Sequence, residues 1–237
     1  MQREGRLPAG NIFSSYAGLL KEARWRKNLF VGAVIASTGV VALWAIGEYG
    51  VDLQRNVFKT WYASNGVPAG QIMAKVNTAV TWSYLLSMLG AAVGMWLFTK
   101  VAQHLGRRTA FAIGFSLALV VTVLVYWKMN SPADGYWMLP LMTSCQLAVF
   151  AGFAIYLPEL FPSRLRSTGT SFCYNLGRFA AAAGSLFSAT LATEVYGQFG
   201  SPTMERYSAI TMCAIFLIGL LILPFAPETK GKPLPED

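Results

Sequence analysis

The chain has 237 residues, with 19 Lys and Arg against 11 Asp and Glu, a formal charge of +8. Charged residues are only 13% of it, about half the ~25% usual in soluble proteins, while apolar residues reach 54% and mean hydropathy is +0.45. A soluble domain of this size cannot hide so much apolar surface, and a chain this apolar does not stay unfolded, so a water-soluble enzyme and a disordered chain are both excluded.

Residues 1–28 read as a polar, basic linker. Within it Ile12, Phe13, Tyr16, Leu19 and Leu20 make a short amphipathic stretch, expected to lie as a helix on the membrane surface. The segment is too long and too polar before the first apolar run to be a secretory signal. Six stretches nearly empty of charge follow, at 29–50, 76–98, 109–127, 135–157, 167–193 and 207–226, and the tail is 227–237. The six contain two acid or base side chains, Glu48 and Arg178. Each is close to the ~20 residues that a helix needs to cross ~30 Å of hydrocarbon. They are too uniformly apolar for barrel strands, and helices satisfy their own backbone in lipid. The expectation is an all-α integral membrane bundle of six transmembrane helices.

Taken in order, the spans carry a few informative residues. In 29–50, Glu48 falls about 28 Å along the helix, near the outer surface, as an interfacial carboxylate or a proton-coupling site. Trp44 there, and Trp82 and Tyr84 in 76–98, are candidates for a cavity lining, an interface belt or packing. Gly90 and Gly94 form a G-x-x-x-G pair, which lets helix backbones approach closely. In 135–157, Pro140 can bend the helix, as can Pro158 at its end. The amide of Gln146 calls for a polar cavity or a helix–helix hydrogen bond. In 167–193, Gly177, Ala181, Ser185 and Ala189 recur every four residues, a packing stripe. Arg178 falls about 16 Å along that span, near mid-membrane, where an unpartnered arginine costs at least ~2.5 kcal/mol. It is therefore expected to point into a cavity or the bundle interior, in an anion-binding, gating or structural role. Tyr174 and Asn175 offer hydrogen bonds beside it.

Basic residues set the orientation. Of the Lys and Arg in the connections, 13 fall on the side of the two chain ends and five on the other. Both termini are therefore expected in the cytoplasm, and the charge serves topology and anionic lipid rather than nucleic acid. Cys145, Cys173 and Cys213 all lie inside spans, so neither a disulfide nor a metal site is expected. His104 is the single histidine, and there is no phosphate-binding loop or metalloprotease motif, which leaves no constellation for an enzyme or a cofactor.

The connections carry the specific pattern. Gly106-Arg107-Arg108 follows the second span, and Pro158-Glu159-Leu160-Phe161-Pro162-Ser163-Arg164-Leu165-Arg166 follows the fourth. The latter runs into Ser167-Thr168-Gly169-Thr170-Ser171-Phe172-Cys173-Tyr174-Asn175-Leu176-Gly177-Arg178, and Pro227-Glu228-Thr229-Lys230-Gly231 follows the last span. Over nearly the whole chain this set resembles the C-terminal half of a major facilitator superfamily transporter, nearest its sugar-porter and organic-solute:proton symporter branches. Thr99, Gln103 and His104 depart from the family's first-loop pattern, which has glycine, aspartate and a basic residue there.

The resemblance implies one six-helix half of a twelve-helix fold, itself a 3+3 inverted repeat, working by alternating access on a small organic solute such as a sugar or organic anion. The proton is a candidate co-substrate. Arg178, Asn175, Tyr174, Gln146 and Trp44 become candidate solute-binding residues. Arg107, Arg108, Glu159, Arg164, Arg166 and Glu228 become a candidate gate of opposite charges at three neighbouring helix ends. The partner is an N-terminal six-helix half or a second copy of the chain, in a bacterial inner membrane. A fragment that only packs against other membrane proteins is the competing reading.

Overall fold

The computed structural model describes residues 12–236, apart from the side chains of residues 12–15 and of Glu48. The reading of residues 1–11 as linker, the amphipathic side chains of Ile12 and Phe13, and the Glu48 carboxylate fall outside the described residues. The rest is helical, with no strand among the described residues: α1 (Ile12–Lys21), α2 (Ala23–Ser64), α3 (Ala69–Leu105), α4 (Arg107–Lys128), α5 (Pro132–Glu159), α6 (Arg166–Thr190) and α7 (Thr203–Phe225). Five of these, α2 to α5 and α7, are long and apolar enough to cross a membrane. α6 has the length, but Gly169, Ser171, Asn175, Gly177 and Arg178 dilute its apolarity.

Two helices overrun their apolar stretches. α2 has 42 residues and α3 has 37, or about 63 and 56 Å of helix against the ~30 Å of a bilayer core. α2 starts inside the segment read as linker, and most of the connector expected over 51–75 is helical. Charges such as Asp52, Arg55 and Lys59 end an apolar run without ending a helix. The helix stops only where Asn65, Gly66 at φ +75° and Pro68 break it. α2 also widens to a π-type turn at Ala42–Ile46, and the buried Tyr126 hydroxyl donates to the Ile46 carbonyl at its end. Pro132 and a Ser131–Asp134 capping box start α5, and Pro140 and Pro158 lie within it.

Small residues set the tightest contacts. A Cβ at Gly90 or Gly94 of α3 would collide with the carbonyl oxygens of Pro140 and Ser144 on α5. On α6, a Cβ at Gly177 would lie 3.2 Å from the Ala36 backbone of α2, and one at Gly184 would lie 3.3 Å from Ala45. The second and fifth expected spans are thus each packed on protein. The α6 stripe differs from the strict four-residue repeat: Gly177 and Ala181 are buried, Ser185 is half-buried and Ala189 exposed. Each step of four residues turns about 40° past a full turn, so the contact passes to Gly184 and the buried Ser188. Between α3, α4 and α5 the core is aromatic, with Phe111 5.3 Å from Phe98, 5.9 Å from Phe153 and 5.5 Å from Tyr156, centroid to centroid.

Candidate functional site

The polar side chains form two groups, one at the end of the bundle beside α1 and one at mid-length. At the α1 end a single residue, Gly106 at φ +95°, joins α3 to α4. Only glycine takes this backbone readily, and a Cβ there would also stand 2.7 Å from the Glu228 carboxylate. The carboxylate sits against the start of α4. Its Oε1 accepts from the backbone N–H groups of Arg107 (2.9 Å), Thr229 (3.0 Å) and Lys230 (3.0 Å), and its Oε2 from Arg108 N–H (3.0 Å). An anion there satisfies orphan amides at the positive end of the helix. Burial pushes the Glu228 carboxyl up, but these backbone donors outweigh it and hold it below its ordinary value of 4.5.

Next to it the Arg107 guanidinium grips Glu159 with Nη2–Oε1 at 2.7 Å and Nε–Oε2 at 3.1 Å. The Thr229 hydroxyl donates to the same carboxylate at 2.5 Å, Tyr156 donates to the Pro227 carbonyl at 2.8 Å, and Lys230 Nζ to the His104 carbonyl at 2.6 Å. Of the six residues expected in a gate, the structure therefore gathers Arg107, Glu159 and Glu228. The Arg108 backbone joins them, but its side chain is exposed. Arg166 turns to the Pro158 carbonyl (3.1 Å), and Arg164 is exposed near α1. Among the described residues the cluster of Arg107, Glu159 and Glu228 is one ion pair plus a helix cap.

At mid-length, Gln146 lies about 20 Å from the α5 end at Glu159, and Arg178 about 18 Å from the α6 start at Arg166. Gln146 is buried and its Nε2 donates to Thr122 Oγ1 at 3.1 Å, a helix–helix bond between α5 and α4. It also lines a cleft of about 490 Å³ between α2, α3 and α5, with Gly47, Gln54, Arg55, Tyr84 and Thr143. Arg178, expected in a cavity or the bundle interior, is exposed on this bundle. Among the described residues it makes no hydrogen bond or ion pair. Asn175 is exposed and bonds only its own helix at Ser171, Tyr174 is half-buried, and Trp44 is 55% exposed.

α6 thus has three sides. Gly169, Cys173, Gly177, Ala181 and Ser188 form a buried side, which meets Phe161 at Gly169 and α2 at Cys173 and Gly177; Leu176, Phe179 and Leu186 form an exposed apolar side; and Ser171, Asn175, Arg178, Ala182 and Ala189 form an exposed small or polar side.

Two features were missed in the sequence because they lie beyond the apolar runs. Gln54, 4% exposed, has an Nε2 without a partner among the described residues. Glu205, 5% exposed, receives Asn56 Nδ2 (2.9 Å) and Ser201 Oγ (2.7 Å) on one oxygen, tying α7 to α2 at the far end. The 3.6-residue register of a helix continued past Gly50 would have brought Gln54 to notice.

No protein-family profile matches the chain. Among curated proteins it is 25% identical over 181 residues to the inner membrane metabolite transport protein YhjE of Escherichia coli, covering 75% of this chain and 39% of that one. It is 30% identical over 161 residues to the sialic acid transporter NanX of Escherichia coli, covering 66% and 37%. The chain spans less than half the length of these curated relatives. Among solved structures it superposes on the major facilitator proton:xylose symporter XylE with a TM-score of 0.63 at 17% identity, over 86% of this chain and 46% of that one. These relatives are transporters and not enzymes. In fold the chain is similar to the C-terminal half of this major facilitator symporter, and in sequence to metabolite transport proteins.

Proposed function

We propose that the chain is one wall of an alternating-access transporter for a small organic solute, the opposite wall being a second six-helix bundle. α6 is the fifth of the six spans of this half, the one that apolarity alone does not mark. The carrying observation is its three-sided surface: a membrane helix needs only a packed side and an apolar side, and the exposed Ser171–Asn175–Arg178 side is explained by water and solute. Arg178 stands at the level of Gln146 and the α2–α3–α5 cleft, so one solute can span them. Its guanidinium favours a carboxylate or another anionic group on the solute.

The packing supports a 3+3 inverted repeat. Exchanging the first three spans with the last three maps the α3–α5 contact at Gly90 and Gly94 onto the α6–α2 contact at Gly177 and Gly184. In this reading both described ends face the cytoplasm of a bacterial inner membrane. The Arg107–Glu159–Glu228 cluster keeps the cytoplasmic end of the half rigid as the two bundles rock, and Arg108 and Arg164 face the other bundle. Uptake of a labelled sugar acid, measured with and without a co-expressed N-terminal six-helix half, tests the proposal. Uptake should need both halves and fall about 10- to 100-fold for Arg178→Gln, as expected when a charged anchor is lost. Equal uptake without the second half, or by Arg178→Gln, would contradict it.

A further inference from the structure

We infer that the cleft between the start of α2 and the C-terminal tail is a binding site for a phosphate-ester anion, supplied by a phospholipid headgroup or from solution. The cleft encloses about 290 Å³ at the α1 end. Arg24 and Lys27 of α2 and Lys232 of the tail line it. Two carboxylates line it as well, but both are engaged elsewhere. Glu159 is held by Arg107 and Thr229, and Glu228 by four backbone N–H groups. Among the described residues no ion pair reaches Arg24, Lys27 or Lys232.

Three cations therefore converge on one concavity whose two carboxylates already have donors of their own. Arg24 and Lys27 moreover occupy the first two turns of α2, where the positive end of the helix disfavours cations. Arg24 lies over the Trp25 ring at 4.7 Å, which holds its stem without neutralising its charge. An anion in the cleft relieves both repulsions at once. A tetrahedral phosphate suits donors that arrive from two segments, because its several oxygens can accept from arginine and both lysines together. Leu160 and the half-exposed Leu234 supply an apolar wall beside the cationic mouth, as the headgroup region of a bilayer requires.

The inference does not rest on solute transport, so its failure would leave that proposal standing. The test uses the full chain in nanodiscs of phosphatidylcholine, with or without phosphatidylglycerol. It compares the parent with a triple variant at the cleft (Arg24→Gln, Lys27→Gln, Lys232→Gln) and with a far-end control (Lys59→Gln, Lys75→Gln, Lys128→Gln). Native mass spectrometry should show phosphatidylglycerol retention reduced about tenfold or more in the cleft variant and little changed in the control. Charge-keeping replacements, Arg24→Lys with Lys27→Arg and Lys232→Arg, should restore it.

Inorganic phosphate added to phosphatidylcholine discs separates the sources. A thermal stabilisation that the cleft variant loses assigns the site to a soluble phosphate, whereas retention of phosphatidylglycerol without that stabilisation assigns it to the lipid. Retention equal in parent and cleft variant, together with no response to phosphate, would overturn the inference.

Discussion

At the α1 end, both oxygens of Glu159 and of Glu228 have donors within about 3 Å, and Arg107 is fixed through its side chain and its backbone. About 20 Å along the bundle, Arg178 finds no partner among the described residues and Asn175 bonds only to its own helix. The same chain that gives two carboxylates all their donors at one end leaves an arginine without a described partner at mid-length. The Arg107–Glu159–Glu228 cluster is complete within this bundle, whereas the Arg178 guanidinium is left exposed.

The sharpest way to break the comparison is to disturb the scaffold on which both regions depend. Gly94→Leu drives a side chain into the Ser144 carbonyl, where α3 and α5 meet backbone to backbone. Overpacking typically costs about 1–3 kcal/mol, and here no side chain can yield, so the cost should reach the top of that range. Size-exclusion chromatography in detergent should show loss of the monodisperse species. A smaller effect is expected from Glu159→Gln, which removes the ion pair with Arg107. Both partners reach solvent, so the loss should be about 1 kcal/mol, read as a drop in the unfolding temperature. No change would mean that the clamp contributes nothing.

The smallest effect is pH-dependent. Glu228 has a lowered pKa, so its stabilisation is fully present above the ordinary carboxylate range. It fades as pH falls below 4.5 and is gone below the lowered value. The stability difference between the parent and Glu228→Gln should shrink across that window. A difference that grew on acidification would reverse the assignment.

Much of this was legible in the sequence, for reasons that also mark where it stopped. Absence of charge located the apolar runs, because hydrocarbon rejects ions. The same signal misjudged helix ends, since Asp52 and Arg55 forbid lipid but not helix, and so Gln54 and Asn56 were read as connector. Gly90 and Gly94 were legible as a contact, but their partners on α5 were not, because spacing on one helix does not name its neighbour. The cluster of Arg107, Glu159 and Glu228 was legible as opposite charges at helix ends. That Glu228 would cap backbone rather than pair with Arg108 depends on the positive-φ turn at Gly106. Arg178 stood out as a charge near the middle of an apolar run, but spacing along one helix left a cavity and the bundle interior both open, because it does not show which side of the helix is packed.

The central claim is that the polar side of α6 faces water or solute while its apolar side faces lipid. Single cysteines at Asn175, Arg178 and Ala182, and at Leu176, Phe179 and Leu186, placed in a chain with Cys145, Cys173 and Cys213 replaced by Ala, can be probed in native membranes. The reagent is a membrane-impermeant maleimide, and the chain is co-expressed with the N-terminal half. Labelling at the first three positions and protection at the second three is the predicted result. Uniform labelling of all six, or the reverse pattern, would contradict it.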